Sequence, residues 1–374
     1  MIHKLKNFYS EARFFFRCIH RFLLHKIYIL NSFPKKNANH NVVVFDVEDN
    51  SYTRHLNNLI LFFVRSEYLV YIKLNPVFLG DLQQYSLNLL KTDNVYFVFK
   101  LPKYRKIAFS SYEKEGYIRL SFDYFTSSKV PNTSISYPFS MHPMILKDLD
   151  DKQLIKLRKS TKKFRLLFAG AINEEYRSEN FEKIFNLIDR NTIIRDIKSK
   201  YSANNLELVK TQDCFKKLNK NLYLNKIVLI ESGIDHIVYF DKWLKLLSKA
   251  DFFLALPGVK IPLCHNLVEA MSLGVIPVIQ YQSYLPVKLQ NNINCITYNS
   301  ENELFMKISD LMHMDTSAID NLRDGVIEYY EKYLKPQEFI RNVEEKVDKG
   351  MLECLYLYSE DKTVDAYKTE LGLY

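Results

Sequence analysis

Short, unbroken apolar runs recur along this chain, and stretches with helical spacing lie between them. Val42–Val47 (VVVFDV) is the first such run. A helical pattern follows from about Tyr52 to Arg65, with Leu56, Leu59, Ile60 and Phe63 on one face. Tyr68–Lys73 and Val95–Phe99 are further runs, and residues 117–122 and 134–138 are weaker strand candidates. A strand that is apolar on both faces has to be covered on both, and a crossover helix is the usual cover. The pattern therefore predicts βαβ units and a parallel sheet.

Asp148 to Lys163 (DLDDKQLIKLRKSTKK) is highly charged and reads as a boundary, after which the pattern restarts. Phe164–Ala169 reads as a strand ending at Gly170, and Ile227–Glu231 as another. Phe240 to Lys249 has helical spacing. Asp251–Leu256 is a strand ended by Pro257 and Gly258, Leu263–Leu273 a helix ended by Gly274, and Val275–Ile279 a strand. Pro277 inside that last run implies an edge or an irregular strand end. Residues from about 301 to 349 read as helices. The predicted fold class is α/β, with two Rossmann-like domains facing a cleft and helices at the C-terminus. The expected divisions are a basic N-terminal helix at 1–36, one domain at 37–150, a second at 151–335 and a helical segment at 336–374. In such sheets ligands sit beyond the carboxyl ends of the strands.

Composition narrows the class. Hydrophobic residues make up 47% of the 374 and charged residues 25%, which excludes a wholly disordered chain. Nine glycines exclude collagen-like repeats. Five cysteines, at 18, 214, 264, 295 and 354, form no CxxC, so a disulfide scaffold or zinc ribbon is not expected and a reducing cytoplasm fits. The net charge of +9 points to anionic partners without choosing among them. Residues 1–36 carry eight Lys/Arg and only Glu11 as an acid, with Ile2, Leu5, Phe8, Phe15, Ile19, Phe22 and Leu23 near helical spacing. A basic helix with a Phe-rich face can pack on its own domain or lie in an anionic membrane interface, here through residues 1–30. The sequence contains no run of about 18 apolar residues that would predict a membrane-spanning helix.

The most specific stretch is 250–280, ADFFLALPGVKIPLCHNLVEAMSLGVIPVIQ. Its Pro257, Gly258, Glu269, Ala270, Gly274, Ile276, Pro277, Val278 and Ile279 resemble the C-terminal donor-binding domain of GT-B glycosyltransferases, the exostosin-like group in particular. Phe168-Ala169-Gly170 followed by Tyr176-Arg177 resembles the strand and loop that open the same domain. The resemblance covers roughly 160–300 and makes 37–150 the acceptor-side domain by implication. One departure is His265-Asn266, where exostosin-like chains usually carry Arg.

The segment has a physical reading of its own. A helix starting near Cys264–Asn266 turns its unpaired N–H groups and positive dipole end towards a nucleotide phosphate. Glu269 in its first turns is placed to accept ribose hydroxyls. His265 and Asn266 start that helix, and Gly258 and Lys260 precede it; all are candidate donor-binding groups, with His265 also a candidate catalyst. Glycosyl transfer further needs acids and bases. Asp235 follows the strand IVLIE, and Glu174 and Glu175 follow FAG, so these three are candidate catalysts. Each also has a bland reading, an Asx-turn Asp or acids favoured at a helix start. Arg54, just after VVVFDV, is a candidate ligand of an anionic acceptor or donor carboxylate, and the pair His142-Pro143 resembles the His-Pro pair of GT-B enzymes that use CMP-sugars, which implies a donor-binding His142.

This set is also similar in roles to the retaining β-Kdo transferases of bacterial surface polysaccharides. That likeness implies a CMP-linked donor, Asp235 as nucleophile and a Glu near 174 as acid/base. An exostosin-like inverting enzyme implies a UDP-sugar and Asp235 or a Glu as general base. Either way no metal and no cofactor is expected, only a nucleotide-sugar co-substrate, CMP- or UDP-linked. The expected function is glycosyl transfer to a growing lipopolysaccharide, capsule or other surface glycan or glycolipid acceptor. The expected location is cytoplasmic, peripheral on the inner membrane face. Two other readings stay open: a non-catalytic GT-B-like scaffold and a basic nucleic-acid-binding protein. No helix-turn-helix, RRM or zinc signature supports the last, so nucleic acid is not an expected partner.

Overall fold

The computed structural model describes residues 12–13, 15–17, 19–20, 23, 41–48, 53–74, 89–121, 131–173, 181–210, 223–232, 240–358 and 368. The chain divides into two compact units, 1–137 with 336–359, and 138–335 with 360–374. The division falls at 137/138, not in the charged stretch at 148–163. That stretch contains a helix of the second unit, because Leu154 is buried while its charged neighbours face outwards. Of the N-terminal basic helix, the described residues between 12 and 23 are helical, and Phe15, Phe16 and Leu23 among them are exposed. Among the described residues no helix is long and apolar enough to cross a membrane.

Unit 1 opens with β1 (Val42–Asp46), α1 (Thr53–Arg65), β2 (Leu69–Lys73), β3 (Val95–Val98), β4 (Ile107–Ser110), β5 (Ile118–Ser121) and β6 (Ser134–Ser136). Unit 2 then runs through α2 (Pro143–Lys147), α3 (Asp151–Arg158), β7 (Phe164–Ala171), α4 (Arg190–Lys200), β8 (Leu206–Lys210), β9 (Tyr223–Ser232) and α5 (Phe240–Leu247). It continues with β10 (Ala250–Ala255), α6 (His265–Ser272), β11 (Ile276–Ile279), β12 (Ile296–Thr297), α7 (Glu301–His313) and α8 (Thr316–Tyr329). The chain returns to unit 1 with α9 (Pro336–Asp348) and β13 (Cys354–Tyr356).

The unit 1 sheet has the order β3-β2-β1-β4-β5-β13-β6, and every pairing in it is parallel. All five residues of β1 are buried, as a central parallel strand requires. α1 is buried on two sides. Phe63 packs on Phe45 and Phe109 of the sheet, and Phe62 meets Phe339 of α9. The segment at 336–374 is thus not helical alone: β13 enters the sheet between β5 and β6. Its three residues are too few to show a period, and only pairing with distant strands makes them extended.

The unit 2 sheet has the order β12-β11-β10-β7-β9-β8, again parallel throughout. Pro277 lies in β11, which is flanked by β10 and β12. β12 pairs only with Val278 and Ile279, so at Pro277 the outer side of β11 has no strand to receive an N–H. Gly274 joins α6 to β11 at φ +66°, a conformation that glycine adopts without strain. The chain is therefore an α/β protein of two Rossmann-like parallel-sheet units, with helices towards its C-terminus.

Candidate functional site

The order of the unit 2 sheet reverses beside β7. The chain goes from β7 to β8 and β9 on one side and to β10 on the other. A crevice forms where such an order reverses, beyond the carboxyl ends of the two strands. Here those ends are Gly170-Ala171 of β7 and Leu256-Pro257-Gly258 after β10.

Arg190 spans them. It stands at the first position of α4, whose start is capped by the Asp189 carboxylate accepting from the Thr192 N–H at 3.0 Å. Its side chain is buried and donates from Nη1 to the Ala171 carbonyl (3.0 Å) and from Nη2 to the Leu256 carbonyl (3.4 Å). Nη2 also lies 3.8 Å from Sγ of Cys264, the residue before α6. Tyr281 donates to the same Leu256 carbonyl at 3.4 Å, and burial pushes its phenol well above the ordinary value. A cationic group thus sits at the point where the sheet order reverses.

The loop from 257 to 263 folds tightly over this edge. Gly258 donates its N–H to the Pro262 carbonyl at 3.1 Å. A Cβ at that position would lie 2.7 Å from the Ile261 carbonyl oxygen and 3.0 Å from that of Leu263. Only glycine fits without moving the loop. Lys260 is exposed on the same loop. α6 starts immediately after it, with Cys264 as N-cap making no side-chain cap bond. Asn266 in its first turn donates Nδ2 to the Ala169 carbonyl at 3.0 Å, which ties α6 to β7.

Glu269 lies deeper in α6, 1% exposed, with both carboxylate oxygens engaged by the protein. Oε1 accepts the His142 backbone N–H at 2.9 Å, and Oε2 accepts the indole Nε1–H of Trp243 at 2.6 Å. Burial pushes the carboxyl up to about 7, against the pull of these two donors. Ribose binding by this carboxylate would have to compete with both bonds. His265 is buried against Phe139, and its Nδ1 lies 2.5 Å from the Ser140 carbonyl oxygen. A carbonyl only accepts, so Nδ1 carries the proton. His142 caps α2 by accepting the Met144 N–H at Nδ1, and its ring lies 5.6 Å from that of His265.

The fold thus brings His142, His265 and Glu269 together, across a separation in sequence that gives no hint of it. Gly258, Lys260 and Asn266 sit on the loop and helix start beside them. Arg54 belongs to unit 1, where it is half-buried in the first turn of α1. Asp235, Glu174 and Glu175 lie outside the described residues. Arg190 and Trp243 were not legible as site residues. Arg190 sits in no recognisable motif, and its importance comes from the two strand ends that it joins.

No known protein family matches the chain, and no characterised protein sequence matches it. Solved structures do resemble it. HepE of Anabaena, solved with UDP, is 10% identical over 83% of this chain and 100% of its own, with a TM-score of 0.43. A glycosyltransferase from Rickettsia africae is 9% identical over 84% and 99%, with a TM-score of 0.45. The N-terminal domain of Candida albicans trehalose-6-phosphate phosphatase is 10% identical over 85% and 99%, with a TM-score of 0.42.

Proposed function

We propose that the chain is a metal-independent GT-B glycosyltransferase, moving a sugar from a nucleotide-activated donor to a bacterial surface glycan or glycolipid. The observation that supports this most is a coincidence within unit 2. The segment whose residues resemble a donor-binding domain, 250–280, lies where the sheet order reverses, with Arg190 joining the two strand ends. A departing nucleotide phosphate there meets the N-terminus of α6, the Gly258 loop and the cationic Lys260 and Arg190. These groups supply positive charge of the kind that other transferases take from a metal ion.

In this reading Glu269 is a positioning residue. It ties α5 and the segment before α2 to the helix that holds the donor. Asp235, Glu174 and Glu175 stay the candidate catalysts on their sequence positions. With a CMP-linked Kdo-like donor, Asp235 is the nucleophile and one of the glutamates the acid/base. With a UDP-sugar, one of the three is the general base that takes the acceptor proton. The reaction takes place on the cytoplasmic face, where residues 1–30 can lie on anionic lipid.

Thermal shift of the full chain against UDP, GDP, ADP, CMP and CDP at millimolar concentration tests the proposal. A ligand that binds only the folded state raises the melting temperature. A rise with CMP alone supports the Kdo-like donor, and a rise with UDP or GDP supports a diphosphate-sugar donor. A well-folded sample with no rise for any nucleotide overturns the transferase reading and leaves a scaffold.

A further inference from the structure

Unit 1 has an order reversal of its own. β2 and β3 lie on one side of β1 and β4 on the other, so the crevice opens between β1 and β4. Asp46 ends β1, Lys73 ends β2 and Ser110 ends β4, and the strand register sets all three along one edge. Tyr112 and Lys114 come from the loop that follows β4.

Asp46 is 1% exposed and saturated with donors. Its Oδ1 lies 3.0 Å from Lys73 Nζ. Its Oδ2 accepts from Lys73 Nζ at 3.2 Å, Tyr112 Oη at 2.6 Å and Lys114 Nζ at 2.5 Å. A carboxylate so occupied is neither a general base nor a metal ligand. The lysines, by contrast, reach solvent, with side chains 43% and 32% exposed. Lys114 also lies 4.1 Å over the Tyr117 ring, which fixes its direction.

Burial alone would raise the Asp46 carboxyl, but the donors from Lys114, Tyr112 and Lys73 hold it below its ordinary value. The Asp46 hydrogen bond holds the Lys73 ammonium above its own, and Lys114 is raised despite burial. All three are therefore charged at neutral pH, two positive to one negative. The two ammonium groups share one carboxylate, Lys73 across both of its oxygens and Lys114 on Oδ2. Each has three N–H donors, and the carboxylate does not use them all. A structural ion pair needs one lysine; here two share one carboxylate, which leaves a net positive charge and ammonium donors at the solvent-facing end of the strands.

We propose that Lys73 and Lys114 form an oxyanion site that takes the phosphate or carboxylate group of a second ligand, with Asp46 and Tyr112 as positioning residues. If the transferase reading holds, that ligand is the acceptor, which then carries an acidic group. That identification rests on the proposed function; the oxyanion site does not.

The test uses the full chain and its K73Q/K114Q variant, titrated with inorganic phosphate, with glucuronate and with chloride at matched ionic strength, followed by melting temperature and calorimetry. The expected result is a saturable rise with phosphate or glucuronate that chloride does not give, and an affinity at least tenfold weaker in the variant. Phosphate alone identifies a phosphorylated ligand, and glucuronate alone a sugar acid. Equal affinity in the variant, no binding by the wild type, or a rise that chloride reproduces overturns the proposal. The single K73Q variant, changed at the more exposed lysine, repeats the measurement if the double variant melts early. The nucleotide panel run on the same proteins separates the two ideas. A nucleotide response that survives K73Q/K114Q leaves the donor site intact, and phosphate binding without any nucleotide response sinks the transferase reading alone.

Discussion

The indole N–H of Trp243 donates to Oε2 of Glu269 at 2.6 Å, between two side chains that are both buried. The other oxygen of the same carboxylate holds the backbone of His142. One side chain of α6 therefore joins α5 and the segment entering α2. The expected consequence of Trp243→Phe is a loss of roughly 2 kcal/mol or more, since a buried acceptor loses its donor and the smaller ring leaves part of the space unfilled. Urea unfolding of the full chain checks this, and an unchanged midpoint would deny the bond any role in stability.

Glu269 also sets a pH dependence. Its folded carboxyl is raised to about 7 from an ordinary 4.5, so between these values the folded state holds a proton that the unfolded chain has lost. Its contribution to stability is present at low pH and disappears as pH rises from about 4.5 to about 7. Glu269→Gln cannot titrate. Between pH 5 and pH 8 the variant is expected to lose less stability than the wild type, by an amount on the order of 3 kcal/mol. Parallel pH profiles for the two proteins would refute the shift.

Arg190 reaches two carbonyls on different strands, and only a forked side chain can do so. Arg190→Lys keeps the charge and loses the fork. The expected outcome is a folded protein whose nucleotide-induced melting rise falls at least tenfold in affinity. A variant that binds nucleotide like the wild type would remove Arg190 from the donor site.

Two glycines give a contrast. At Gly274 a Cβ would sit 2.9 Å from side-chain atoms of Arg323 and Ile327, on a backbone with φ +66°. Gly274→Ala is expected to cost roughly 2 kcal/mol of stability and to leave nucleotide affinity unchanged. At Gly258 the same methyl meets loop carbonyls at the candidate site. Gly258→Ala is expected to weaken the nucleotide response first. Melting curves with and without nucleotide separate the two cases.

The strands that were legible in the sequence are those with local signatures. β1, β7 and β10 are largely apolar runs, each with one charged residue (Asp46, Arg165 and Asp251), because parallel central strands are buried on both faces. α6 and Gly274 were legible from helical spacing and a glycine stop. β4, β8 and β13 were not. Leu206–Lys210 carries Glu207 and Lys210 three residues apart and shows no strand period, and Cys354–Tyr356 is three residues long, so their extended form comes from pairing with other strands. The site divides the same way. Asp46 stands in VVVFDV, which reads only as a strand, and nothing in the sequence brings Lys73 and Lys114 to it. Glu269 was visible as a carboxylate on a promising helix. That its oxygens already belong to His142 and Trp243 follows only from tertiary packing.

β13 lies between β5 and β6, so the last of the described strands stands inside the sheet of the half made first. During synthesis, every described strand of unit 2 has been made when residue 335 emerges, while β6 still has no neighbour to hold it against β5. The first half of the chain therefore waits, with sheet edges open, for a segment more than two hundred residues downstream. Long-range closure of this kind is slow and leaves an intermediate prone to association. A ribosome stalled near residue 335 would carry a second unit with its sheet made and a first one with its sheet unfinished, and chaperones would be expected to find their work at β5 and β6.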